Sequence, residues 1–191
     1  KIHKHSNAEF KWSLTMSINY NSIKILQWNA RSINNKLDIL SSLIDMYNSD
    51  VVMLCETHAD GDKKMVLKDF NIIRNDRDAR GGGVAVAVRK KFKIRKIKLN
   101  AALNSIEAVG VRLVMKNNKF IDVVSVYIPP TSNFSSSQLD HIFSDLKKPY
   151  IIAGDFNAHS TEWGCVSDSN RGDLQGWDKI LEPPDEFLNS F

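Results

Sequence analysis

IIAGDFNAHSTEWG, residues 151–164, sets the pattern against which the rest of the chain is read. The apolar run from Tyr150 to Ala153 predicts a short buried strand. Gly154 then permits a sharp turn, and Asp155 and Asn157 follow with one residue between them. In extended backbone, residues two apart point the same way, so a carboxylate and a carboxamide project together from a strand end. An anionic acceptor beside a neutral donor and acceptor can hold a water and a phosphate oxygen next to a metal ion. Taken alone, G-D-x-N reads more simply as a polar turn after a core strand. The rest of the chain shifts that balance.

Two more strand ends carry polar groups. Ile23 to Trp28 reads as a strand that runs into Asn29, Arg31 and Ser32. Ser32 is placed to cap a helix whose apolar residues Ile33, Leu37, Leu40 and Ile44 recur at helical spacing. Asp50 closes that helix, and Val51 to Cys55 form a continuous apolar strand of the kind buried on both faces of a layered sheet. It ends at Glu56-Thr57-His58. Asn29 and Glu56 therefore leave two helix-linked strands at the same carboxyl end, where layered α/β proteins collect their sites.

Downstream, Phe70 to Arg74 predicts a strand, followed by a charged loop containing Arg77 and Arg80 and by Gly81 to Gly83. The glycines could let backbone approach a phosphate, but a tight connection into the strand Val84 to Val88 is the simpler reading. The alternation of valine and alanine there puts large residues on one face and small ones on the other, as at a close sheet–sheet contact. The lysine- and arginine-rich segment 89–98 predicts an edge strand whose charge discourages aggregation, with nucleic-acid contact the lesser reading. Residues 105–115 and 119–128 predict a hairpin across Asn117-Asn118. Pro129 and Pro130 stop its second strand, leaving Tyr127 either with its hydroxyl beyond the strand end or in the core. Ser135 to Ser137 cap a helix with Leu139, Ile142, Phe143 and Leu146 on one face. Leu174, Trp177, Ile180 and Leu181 suggest another, stopped by Pro183-Pro184.

With 191 residues, 42% hydrophobic and 25% charged, the chain suits one domain with a sizeable core. The net charge of +4 and pI of about 9.0 are compatible with a polyanionic partner without demonstrating one. Cys55 and Cys165 form no CxxC pair; Cys55 reads as a small core residue, and reduced, intracellular surroundings follow as the default. No apolar run approaches the roughly 20 residues needed to cross a bilayer, so no membrane partner is expected. Residues 1–22 show no signal-peptide core and no clean period, and predict a frayed polar tail without function.

The ordered set QWNARS (27–32), CET (55–57), GGGVAVAV (81–88), VYIPP (126–130) and GDFNAHSTEWG (154–164) resembles the endonuclease/exonuclease/phosphatase superfamily. Within it, the set is most similar to the apurinic-endonuclease-like domain at the front of non-LTR retrotransposon polyproteins. The resemblance covers residues 23–181 and leaves 1–22 and 182–191 outside. It implies a four-layer α/β/β/α sandwich of the DNase I-like type and cleavage of a DNA phosphodiester that depends on Mg²⁺ or Mn²⁺. The implied setting is the nucleus. There a nick in target DNA primes copying of the element's RNA by a reverse transcriptase that this chain does not contain. By motif, Glu56 would ligate the metal and Asn29 would support metal and phosphate. Asp155 would orient or deprotonate the attacking water, Asn157 would hold phosphate and nucleophile, and Tyr127 would stabilise the leaving oxygen. Arg31, Arg77 and Arg80 flank these positions and are expected on DNA phosphates.

The family normally continues into strands carrying a Ser/Thr-x-x-Asp-like segment and a terminal Ser-Asp-His, and neither occurs here. His3, His5, His58, His141 and His159 all lie in other contexts. The resemblance thus implies a sandwich lacking its last strands, with the alternating face of residues 106–114 less buried than its composition suggests. It also implies a second reading, a catalytically impaired remnant that at most binds nucleic acid.

Overall fold

Five consecutive apolar residues at 51–55 can be satisfied only between two covering layers, and the chain builds both. In the computed structural model, residues 2–5, 11–18, 21–59, 62, 64–77, 81–99, 106–158 and 169 are described. The chain runs through β1 (Ile2–His5), β2 (Lys11–Ile18), β3 (Asn21–Asn29), α1 (Leu37–Tyr47), β4 (Val51–Cys55), β5 (Phe70–Asn75) and β6 (Val84–Arg89). It continues through β7 (Lys93–Ile97), β8 (Glu107–Val114), β9 (Phe120–Tyr127), α2 (Ser136–Phe143) and β10 (Tyr150–Asp155). One sheet has the order β1-β2-β3-β4-β6-β5 and the other the order β10-β9-β8-β7. Only β3 with β4 and β10 with β9 run parallel; the remaining neighbours are antiparallel.

The two sheets face each other across a core that includes Ile25, Met53, Val86, Val111, Leu113 and Val123. Behind the first sheet, Leu26, Trp28, Val52 and Leu54 pack with Leu40 and Ile44 of α1. Behind the second, Val124, Val126 and Ile152 pack with Leu139 and Ile142 of α2. The result is the expected four-layer α/β/β/α sandwich. In β6 the valines face the opposite sheet, while Ala85 and Ala87 lie on the α1 side, so the small residues admit the helix layer. Among the described residues, no helix is long and apolar enough to cross a membrane.

Several local expectations are corrected. Residues 2–5 and 11–18, expected as frayed tail, form strands that extend the first sheet from β3, in register from Lys11↔Trp28 to Ile18↔Asn21. A ladder is made by backbone groups, which an irregular side-chain period does not report. Ser32 caps nothing: α1 begins five residues later at Leu37. The N–H groups of Ser32 and Ile33 instead donate to the carbonyls of Glu56 and Thr57, at 2.8 and 2.7 Å, and tie this segment to the exit of β4. The helix ends at Asn48 in left-handed backbone, and Asp50 serves elsewhere, accepting the Lys24 N–H and pairing with Lys91. Val109, Val111 and Leu113 are buried, so the expected loss of cover over 106–114 does not occur.

Gly154 is also not a turn. It sits inside β10 opposite Val126, where a Cβ would lie 1.7 Å from the Val126 carbonyl oxygen. Close approach of two backbones, and not a sharp bend, is what requires glycine there.

One ion pair stiffens the second sheet. Asp122 is fully buried and accepts from Arg112 at Nε (2.6 Å) and Nη2 (2.7 Å) and from the Lys147 N–H (2.9 Å). Removing the guanidinium leaves a buried charge without its counterion. Arg112→Ala is therefore expected to destabilise the fold by about 3 kcal/mol, read as a lower denaturant midpoint at unchanged slope. A midpoint equal to that of the parent chain would contradict it.

Candidate active site

Parallel pairing of β3 and β4 sets Asn29 opposite Cys55, so Asn29 and Glu56 leave neighbouring strand ends. In the second sheet Tyr127 stands between Asp155 of β10 and Glu107 of β8. The strand ends at this side of the two sheets thus bring together the carboxamide of Asn29, the carboxylates of Glu56, Glu107 and Asp155, and the phenol of Tyr127.

Asn29 ties the two sheets together there. It is only 3% exposed, and its Nδ2 donates to Glu56 Oε1 at 2.6 Å and to Asp155 Oδ2 at 2.7 Å. Its Oδ1 accepts the Arg31 N–H at 3.1 Å. The amide nitrogen thus aims the two carboxylates, and the amide oxygen keeps a second lone pair beyond the one that the Arg31 N–H takes. Glu56 itself has left-handed backbone, φ 47°, and its second oxygen lies 3.7 Å from His58 Nε2. Asp155 Oδ1 accepts the Asn157 N–H at 3.0 Å.

Asn157 reaches this end by a different route from strand alternation. Its backbone is left-handed, φ 47°, and its Nδ2 donates to the Ile128 carbonyl at 2.9 Å. The strand has already ended at Asp155, so the two-residue period no longer applies. Tyr127 is the last residue of β9, paired with Asp155 and Glu107, and its side chain belongs to the inter-sheet core. Burial pushes its pKa up to about 12, and the charges of Glu56 and Asp155 add to this while Arg77 opposes it. The phenol is therefore a neutral hydrogen-bond donor at ordinary pH. The folded chain keeps this proton at pH values where the unfolded chain, near 10, has lost it. Stability should accordingly fall as pH rises from about 10 to about 12, and fall less in Tyr127→Phe. Urea melts of both proteins across that range test this; identical pH dependence would refute it.

The arginines divide. Arg31 is exposed beside Asn29. Arg77 is engaged by Glu107, with Nε 2.5 Å from Oε1 and a second contact through Nη2, and its guanidinium lies 5.9 Å from the Tyr127 ring centre. It therefore lines the Tyr127 side as part of an ion pair. Arg80, His159, Cys165 and the helix expected near 174–181 lie outside the described residues. Cys55 is a core thiol as expected, hydrogen-bonded to the Val126 carbonyl at 3.2 Å, and burial pushes its pKa up to about 12.

Glu107 was absent from the sequence-derived set, yet it organises one wall. Besides Arg77 it accepts the Gly83 N–H, while the Gly82 and Gly83 carbonyls receive the His58 and Thr57 N–H groups at 2.8 and 3.1 Å. A Cβ on Gly83 would come within 2.4 Å of Thr57 Oγ1. The glycine run is thus a tight connection that braces the strand end carrying Glu56. Counting back along the hairpin from its turn would have reached Glu107 opposite Tyr127.

The donor set suits a hard divalent cation. Among the described residues, no group of three or more histidine, cysteine, aspartate or glutamate side chains gathers as a metal cage. Two carboxylates converge on a single amide nitrogen, an arrangement of like charges that a cation would relieve. Mg²⁺ characteristically takes one or two carboxylates and fills its remaining positions with water and substrate phosphate.

Known proteins share this arrangement of chain and sheets. The chain is 25% identical over 152 residues to a probable RNA-directed DNA polymerase from transposon X-element of Drosophila melanogaster, covering 78% of this chain and 17% of that protein. It therefore spans about a sixth of the length of that curated relative. Among solved structures, a mannosyl-6-phosphatase of Bacteroides thetaiotaomicron superposes with a TM-score of 0.59 at 14% identity, covering 84% of this chain and 70% of that one. A 3′ phosphatase from Neisseria, bound to a product DNA hairpin, superposes with a TM-score of 0.54 at 19% identity, covering 71% and 58%. Residues 182–189, set outside the family by the sequence reading, fall within the matched region of the family's sequence pattern, 26–189. Because that pattern runs from within β3 past β10 and takes in strands of both sheets, the chain belongs to the Endonuclease/Exonuclease/phosphatase family.

Proposed function

We propose that this chain is a divalent-metal-dependent DNA endonuclease that nicks one strand of a target for copying by a retrotransposon reverse transcriptase. The observation that carries the reading is the Asn29 amide shared between Glu56 and Asp155, which holds two acids from different sheets at one point. Metal-assisted phosphodiester cleavage uses acids held in this way, and a plain polar turn has no need of them. The relative named as a transposon polymerase supports the retrotransposon setting, and the DNA-bound fold relative supports DNA as substrate.

Glu56, supported by Asn29 and facing Asp155, would hold Mg²⁺ or Mn²⁺, which when bound supplies Lewis-acid polarisation of the phosphate and a more acidic water. Asp155, kept in orientation by Asn29 and the Asn157 N–H, is placed to accept a proton from the attacking water. Tyr127, neutral and held by burial, can donate to the charge that develops on phosphate oxygens. Arg31 stands exposed at the rim, where a neighbouring phosphate would meet it. Element RNA, a reverse transcriptase and a nuclear site of action belong to the same proposal.

The test is nicking of supercoiled plasmid with Mg²⁺ and with chelator, followed by polymerase extension from the nick. Chelator-sensitive nicks that extend directly, and so carry a 3′ hydroxyl, are expected. Background-level or chelator-resistant nicking would overturn the reading in favour of an impaired remnant.

A further inference from the structure

Residues 89–98, RKKFKIRKIK, hold seven of the chain's 26 lysines and arginines and none of its 22 acids. The remainder, 19 bases against 22 acids, carries a net −3, so the basic character of the whole chain resides in β7 and the turn before it. Two of these cations are engaged: Arg89 donates to the Ser49 carbonyl and Lys91 pairs with Asp50. Lys90, Lys93, Arg95, Lys96 and Lys98 are exposed. One or two lysines would suffice to protect a sheet edge.

β7 is the outer strand of its sheet, paired with β8 alone among the described residues. Ile97 lies opposite Gly110, three residues from Glu107, so the strip starts on the order of 10 Å from the active-site end and runs away along the flank. Across the sheet Arg95 faces Arg112, whose own charge is taken up by Asp122. Two of the apolar residues between the cations, Phe92 and Ile94, pack against the inter-sheet core, and Ile97 lies against Gly110. No exposed aromatic side chain is left on the strand for bases to stack on, which single-stranded partners require. A row of cations without stacking groups grips a phosphate backbone and ignores sequence.

We propose that β7 and its preceding turn form a second contact for duplex DNA, holding the sugar-phosphate backbone beyond the cleft. The choice of partner rests on the DNA reading of the cleft. Neutralised phosphates release counterions, so each contact should appear in the salt dependence of binding.

The experiment is fluorescence anisotropy with a labelled random-sequence duplex, in chelator so that no cleavage occurs, over a series of salt concentrations. The parent chain is compared with a Lys93→Gln/Arg95→Gln/Lys96→Gln variant and with a control, Lys64→Gln/Lys68→Gln, whose lysines are exposed elsewhere. In the triple variant the slope of log K against log salt should fall by about 2 to 3, with little change in the control. Thermal melts verify that all three chains are folded. An unchanged slope, an equal fall in the control, or tighter β7-dependent binding to a single-stranded RNA would overturn the proposal. Loss of slope without any nicking activity would instead sink only the endonuclease reading, since the two measurements are independent.

Discussion

Asp155→Asn is expected to lower the proposed Mg²⁺-dependent plasmid nicking by about a hundredfold or more, and Glu56→Gln to do the same, with both proteins still folded. Each substitution keeps the size of the side chain and an oxygen that can accept from Asn29 Nδ2, so the link between the sheets survives. What disappears is half of the negative charge that recommends the site to a hard cation. Loss of a single well-placed electrostatic contact to a reacting centre costs about a hundredfold to a thousandfold. Removing one of two facing carboxylates also relieves their repulsion in the empty protein, so the melting temperature should hold or rise slightly. The double variant should be no worse than either single one, because the two acids act on the same bound ion. Nicking by Asp155→Asn within threefold of the parent would refute the assignment.

The second large effect is structural in origin. In Gly154→Ala the new methyl would meet Val126 O at 1.7 Å, with Val126 C and N at 2.7 and 2.9 Å. All three contacts are backbone, so no side chain can swing aside, and β10 must move off β9. Overpacking of this kind costs about 3 kcal/mol, which corresponds to a fall in melting temperature of roughly 6 to 12 °C. The site suffers too, since Asp155 is the next residue and its reach to Asn29 depends on the same strand pairing. Melting and nicking should therefore fail together, unlike in Asp155→Asn. A Gly154→Ala protein melting within a degree of the parent would show that the strands part without penalty.

Continuous apolar runs were the most legible feature. Val51 to Cys55 and Val84 to Val88 announce burial on both faces, and the structure places each between a sheet and a helix layer. Those strands end where they must, so Asn29, Glu56 and Asp155 could be read as a group from their positions alone. Features set by backbone geometry were harder to see. Ser32 has the chemistry of a helix cap, but its N–H is claimed by Glu56, 24 residues away, and no local preference encodes that. Gly154 looks like a turn residue because its true constraint lies in another strand. Asn157 leaves the strand before its side chain is aimed. Glu107 was missed because one glutamate at the start of a strand carries no motif; only the register of the hairpin gives it meaning.

The bond between Asn29 and Asp155 joins residues 126 positions apart in the chain. Closing so long a span is entropically unfavourable, and nothing local assists it; it becomes favourable only once both sheets have docked. The proposed machinery for cutting DNA would consequently be withheld until nearly the whole sandwich has been made. A chain emerging from the ribosome carries Asn29 and Glu56 early, yet stays inert until β10 arrives. A protein whose proposed work is to damage a chromosome in a controlled way is thereby harmless while incomplete.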